Sequence, residues 1–144
     1  DLVKAFERVS HAVLISEASH WQYPMWILRL CIAAYRMGRR ISVNSIVSGL
    51  VYALRGITAG SVTATTELRV LLLRMLDEIV RLFPHIPLQV YVDDMFQFMA
   101  APLSVMVSRD NGFAAPVRAL IQGLHGLQLV VSKEKSIGIA STPA

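Results

Sequence analysis

Two adjacent carboxylates, Asp93 and Asp94, stand between two apolar runs, Leu88 to Val92 and Met95 to Met99. The chain has only ten acids in 144 residues, so their placement is informative. Neighbouring carboxylates at a hairpin tip repel each other. Either the position is simply a turn that favours Asp, or a divalent cation offsets the repulsion. Hard cations such as Mg²⁺ take oxygen ligands and keep substrate phosphates in their shell. A further acid leads the segment Asp1-Leu2-Val3-Lys4-Ala5-Phe6-Glu7-Arg8-Val9. Other chemistries find no support. His11, His20, His85 and His125 lack metal-ligand spacing and read as structural. Ser10-His11 with Asp1 is no triad, because there is no nucleophile elbow. No Walker loop or dinucleotide fingerprint occurs. The lone Cys31 excludes a disulfide framework and a cysteine zinc site, and its apolar neighbours predict a buried structural thiol.

The elements that must position these residues are legible in outline. The residues near Asp1 read as the end of a strand. Helical spacing runs over Ser10 to Ser19 and over Met25 to Met37, with Pro24 before the second helix and Gly38 after it. Arg36, Arg39 and Arg40 cluster at that helix end, where cations suit the dipole and phosphate contact is the alternative. Ile41 to Asn44 and Leu50 to Leu54 read as strands around Gly49. A glycine-bearing loop, Gly56 to Ser61, opens a long helix from Thr65 or Thr66 to Phe83, with Leu68, Leu71, Leu72, Met75, Ile79 and Leu82 on its apolar side. The runs around Asp93-Asp94 predict a two-residue hairpin. Ala115 to Leu124 reads as a helix, and Leu127 to Val131 and Ser136 to Ala140 as strands. The predicted class is α+β, an antiparallel sheet with helices packed on one face.

Composition bounds the answer further. One domain spanning 1–144 fits the length, and a 54% hydrophobic content with 17% charged residues excludes intrinsic disorder. Mean hydropathy is +0.51, yet the longest charge-free runs are 14 residues, short of the roughly 20 that a spanning helix needs. The opening Asp1-Leu2-Val3-Lys4 has no basic region leading into an apolar one, so an intracellular protein (nuclear or cytoplasmic, not secreted) is expected, with no membrane partner. The absence of an initiator Met suggests a piece of something longer. The net charge is +4, and eleven of the fourteen cations are Arg, the usual phosphate-binding residue; ordinary solubility charge is the alternative.

Taken together, Asp1 to Val9, Gly56 to Val62 and Tyr91-Val92-Asp93-Asp94 resemble, in order and spacing, the palm domain of reverse transcriptases. The resemblance is nearest to non-LTR retrotransposon and group II intron-type enzymes. Gly126 to Ile139 is similar to the Gly-Leu-x-Leu…Lys segment that follows in that family. The resemblance covers nearly the whole chain and implies RNA-directed DNA polymerase activity. It implies Mg²⁺ (or Mn²⁺) held by Asp1, Asp93 and Asp94, the last less directly. Two metals clamp the attacking 3′ oxygen and the leaving pyrophosphate in such chemistry. It assigns Phe6 to a sugar gate favouring deoxynucleotides, with a plain core aromatic as the alternative. It puts Gly60 in the nucleotide-seating loop, where close backbone approach is expected. It puts Tyr91 near the primer end or template, and Lys133 near the triphosphate, with Lys135 the choice if the register slips. An RNA template, a DNA primer and dNTPs are the implied partners. Fingers and thumb regions are absent from this chain and would belong to the same parent polypeptide.

The pattern departs from the family in places. Ala59 stands where Gln is usual, Thr63-Ala64-Thr65-Thr66 where Ser-Pro often follows, and Val130-Val131 where Asn-Pro is common. The alternative reading is therefore a catalytically decayed domain that binds RNA or DNA as a scaffold. An RNA-dependent RNA polymerase is opposed by Phe6 and Tyr91-Val92. A hydrophobic interaction module using the Met25 to Ala34 face gives no reason for Asp93-Asp94.

Overall fold

The computed structural model describes residues 2–108 and 112–139. The element order is α1 (Ala5–Arg8), α2 (His11–His20), α3 (Met25–Tyr35), β1 (Ser42–Val43), β2 (Ile46–Val47), α4 (Ala64–Leu82), β3 (Leu88–Tyr91), β4 (Asp94–Gln97), α5 (Leu103–Met106) and α6 (Ala114–Gly126).

The core is helical. Helix α4 carries Ala64, Leu68, Leu71, Leu72, Met75 and Ile79 on one buried stripe, the 3.6-residue period expected of a helix facing a core. Helices α2 and α6 both pack on it, and α3 packs on α2. The contact with α6 is close at Gly123, where a Cβ would fall 2.5 Å from Met75 Cγ. Leu14 and Ala18 of α2, Leu28 and Ile32 of α3, and Leu124 of α6 complete the interior. Leu88, Val92 and Met95 of the β3–β4 hairpin lie partly buried against it.

The α+β class holds, but the strands form two separate antiparallel ladders, β1–β2 and β3–β4, rather than the larger sheet expected. The first hairpin turns at Asn44-Ser45, both at positive φ (49° and 67°). That is the two-residue turn with left-handed central residues that suits strand twist, so the predicted strand Ile41 to Asn44 shortens to β1 and pairs with β2, not with the strand predicted at Leu50 to Leu54. Arg39 and Val51 add one isolated bridge. The predicted strands at Leu127–Val131 and Ser136–Ala140 do not form among the described residues. Leu127 and Gln128 instead continue the turn that ends α6, through Leu127 N–H to Gly123 O at 3.1 Å and Gln128 N–H to His125 O at 2.9 Å.

Much apolar surface stays exposed. Trp26 and Leu30 of α3 face solvent, as do Ile41, Val43, Ile46, Val47, Val51 and Tyr52 around the first hairpin. No helix among the described residues is long and apolar enough to cross a membrane.

Candidate functional site

The β3–β4 hairpin pairs Tyr91 with Asp94 and Val90 with Met95. The two-residue turn is therefore Val92-Asp93, one position earlier than the sequence predicts, and Asp94 is the first residue of β4. Val92 adopts φ 59°, a rare conformation for a β-branched residue. Its side chain packs against the core, and that packing holds the turn in a conformation that residue preferences alone would not select.

Asp93 is half-buried. It lines a cavity of about 130 Å³ with Leu2, Met95, Val131, Ser136 and residues of α6. Asp94 is exposed, and Tyr91 is 76% exposed. Among the described residues neither aspartate has an ion pair or a side-chain hydrogen bond. Asp1 lies outside the described residues; of the strand end predicted near it, Leu2 forms an isolated antiparallel bridge to Val131. The described residues contain no group of three or more potential metal ligands.

Leu2 bridges Val131 in antiparallel sense, and Val3 N–H donates to Val130 O at 2.8 Å. This pairing brings the first segment against the chain leading to Lys133. Leu2, Val3 and Lys4 share a groove of about 470 Å³ with Ser132, Lys133, Glu134 and Lys135. Leu2 thus touches both the Asp93 cavity and the lysine groove. Lys133 and Lys135 both line that groove, so the structure does not choose between them. The turn that carries them is fixed by Ser136 N–H to Ser132 O at 3.0 Å and Lys135 N–H to Ser132 Oγ at 3.3 Å.

Lys4, at φ 50°, redirects the chain into α1. There Phe6 is half-buried and packs against the core. Its carbonyl accepts Ile57 N–H at 2.8 Å, and Val9 O accepts Gly56 N–H at 2.7 Å. The first segment is thereby laced to the glycine-bearing loop. Gly56 sits at φ 91°, and a Cβ there would meet Glu7 O at 2.8 Å; the tight approach belongs to this residue. Gly60, at φ 86°, has nothing within 4 Å of such a Cβ. Its glycine is required by backbone conformation, not by the close packing expected of it.

The loop borders a pocket of about 360 Å³ lined by Glu7, Tyr35, Arg39, Arg55 and Gly56 to Ala59. Arg39 Nη2 donates to Thr58 Oγ1 at 3.3 Å and to Tyr35 O at 3.4 Å. The cation at the α3 end is thus tied to the loop rather than simply solvated.

Beneath the loop lies a buried polar cluster that the sequence reading missed. Glu67 is fully buried, and Tyr35 Oη donates to its Oε2 at 2.9 Å. Ser61 Oγ and Thr63 Oγ1 lie 3.3 and 3.4 Å from the same phenol oxygen. Cys31, half-buried as a packing thiol, has its Sγ 3.3 Å from Thr63 Oγ1. Burial pushes the Tyr35 phenol up. The Ser61 and Thr63 contacts oppose this, and Glu67 adds to it. Burial likewise raises the Cys31 thiol and the Tyr23 phenol, with the Glu67 charge a further cause in both. His11, read as structural, is buried and donates from Nε2 to Gly56 O at 2.7 Å.

No family model matches the chain, and no curated protein or solved structure matches it.

Proposed function

We propose that this chain is the palm of a reverse transcriptase, adding dNTPs to a primer 3′ end on an RNA template. The observation that carries the reading is the shared cavity of Leu2 and Asp93. It puts Leu2, the neighbour of Asp1, beside the turn residue Asp93, which supports a centre supplied by both segments. The donor set fits Mg²⁺: Asp93 and Asp94 offer hard oxygens not committed to any cation among the described residues. Asp93, with Asp1 and less directly Asp94, would hold the ion. When bound, the metal supplies positive charge at the developing oxyanions.

The chain's own residues do the rest. The Phe6 ring excludes a ribose 2′-OH. Lys133 or Lys135, across the groove from Leu2, neutralises triphosphate charge. The Thr58–Gly60 backbone seats the incoming nucleotide, and Arg39 and Arg55 attract its phosphates or those of the template. Fingers and thumb would come from the rest of the polypeptide. Asp93→Asn in that intact polypeptide should abolish Mg²⁺-dependent dNTP incorporation on an RNA template with a DNA primer. Unchanged incorporation would contradict the reading, and a preference for NTPs over dNTPs would redirect it to an RNA polymerase.

One observation favours a second reading, a decayed domain that binds nucleic acid as a scaffold. Ala59 lines the loop pocket with only a methyl group where the family has an amide. Binding of primer–template without extension in Mg²⁺ or Mn²⁺, and extension regained by Ala59→Gln, would establish it.

A further inference from the structure

Burying a carboxylate is costly even when it is paired, and an apolar residue of similar volume usually serves stability better. Glu67 is fully buried on the apolar stripe of α4, and its Oε1 has no hydrogen-bond partner. Its place in the first turn of α4 recovers part of the cost through the helix dipole. Its other oxygen is committed to Tyr35. The Tyr35 hydroxyl has one proton. With that proton donated to Glu67, the phenol oxygen is left as acceptor for Thr63, 3.4 Å away, whose hydroxyl lies 3.3 Å from Ser61 at the far end of the glycine-bearing loop. The near end is held by His11, which donates to Gly56 O at 2.7 Å. The two rings that grip the loop stack on each other, with centroids 6.4 Å apart and planes 29° from parallel. Between the grips Thr58, Ala59 and Gly60 are exposed, and Arg39, itself bonded to Tyr35 O, holds Thr58.

From this arrangement we infer that Tyr35, Glu67 and His11 are positioning residues, a buried bracket that fixes Thr58 to Gly60 for the incoming nucleotide. The inference rests on the polymerase reading for the nucleotide, but its mechanical half stands alone. A site held within a fraction of an ångström needs its supporting hydrogen bonds as much as its contact residues. Here the support comes from α2, α3 and α4 at once.

The test uses Tyr35→Phe, which keeps the ring and removes the hydroxyl, and Glu67→Gln, whose amide carbonyl still accepts from Tyr35. Thr63→Val cuts the bracket from the loop side and serves if Tyr35→Phe fails to fold. Amide exchange is measured on the full chain. Tyr35→Phe is expected to speed exchange at Ser61 and Ala64 about three- to tenfold, the size of one lost hydrogen bond. Core amides of α4 and α6 should stay at wild-type rates, and Glu67→Gln should match wild type. Unchanged loop exchange, or a rise spread evenly over the whole chain, overturns the inference. In dNTP incorporation, Tyr35→Phe should raise KM by the same factor with kcat little changed, and Glu67→Gln should keep the wild-type KM. A fall in kcat alone overturns the nucleotide half. A wild-type protein that incorporates nothing sinks the polymerase reading, while the exchange result still decides the bracket.

Discussion

Leu2 and Asp93, 91 positions apart in the chain, line one cavity under α6. Leu2 reaches that position by its bridge to Val131, and Asp93 by a turn whose first residue, Val92, is anchored in the core. Neither placement depends on charge. Packing brings the segments together, and the carboxylate arrives at the cavity as a consequence.

The two loop glycines should respond differently to substitution. Gly56→Ala would combine a left-handed φ with a Cβ 2.8 Å from Glu7 O. A left-handed residue alone costs about 1–2 kcal/mol, and the backbone overlap adds to it, so a loss above ~2 kcal/mol is expected. Gly60→Ala meets only open space and should cost about 1 kcal/mol. Urea unfolding of the two variants measures the difference.

Arg74 ion-pairs with buried Glu17 between α4 and α2. Removing one partner of a buried pair strands the other charge, at about 3–5 kcal/mol when both are buried. Arg74 is more than half exposed, so solvent moderates the loss. Arg74→Ala should destabilise by about 1–3 kcal/mol, and Arg74→Ala with Glu17→Leu should regain most of it in thermal unfolding.

Stability should fall on the alkaline side. Tyr35, Cys31 and Tyr23 all have folded pKa values raised, chiefly by burial. The folded state therefore keeps protons that the unfolded state releases. The contribution is intact below the ordinary thiol and phenol range, about 8.5–10, and is lost as pH rises through the folded values. Urea midpoints should hold steady up to about pH 8 and then decline. Cys31→Ser should delay the onset. A midpoint that rises with pH over this interval would contradict the assignment.

Phe6 is half-buried, so its substitution reports on both packing and the proposed gate. Phe6→Val should increase NTP use relative to dNTP by about tenfold or more, the scale of a steric discrimination. An unchanged ratio with lowered stability would leave Phe6 as a core aromatic.

The long elements were readable because apolar spacing carries them. Helices α2, α3, α4 and α6 and the β3–β4 hairpin all appear near their predicted places. The four-residue helices α1 and α5 are too short for any period to register. The apolar run at Leu127–Val131 has strand composition, yet Leu127 and Leu129 are buried by the turn after α6. Tertiary burial there serves the same residues that a strand would. The hairpin turn slipped by one because Val92 packs inward and accepts an unfavourable φ. That Asp93 falls at a hairpin turn was legible from the apolar runs on either side of the acids. The Tyr35–Glu67 bracket was not sought, although one signal existed: Glu67 lies four residues before Leu71 and eight before Met75, an acid on an apolar stripe.

The first segment and the Asp93 turn are proposed to share one metal centre. Mn²⁺ replaces Mg²⁺ at oxygen sites and broadens the NMR signals of nearby amides. Titrated into the protein, it should broaden Leu2 and Val3 together with Val92 to Met95, and Asp93→Asn should abolish both effects. Broadening of the hairpin alone, or of neither segment, would contradict the account.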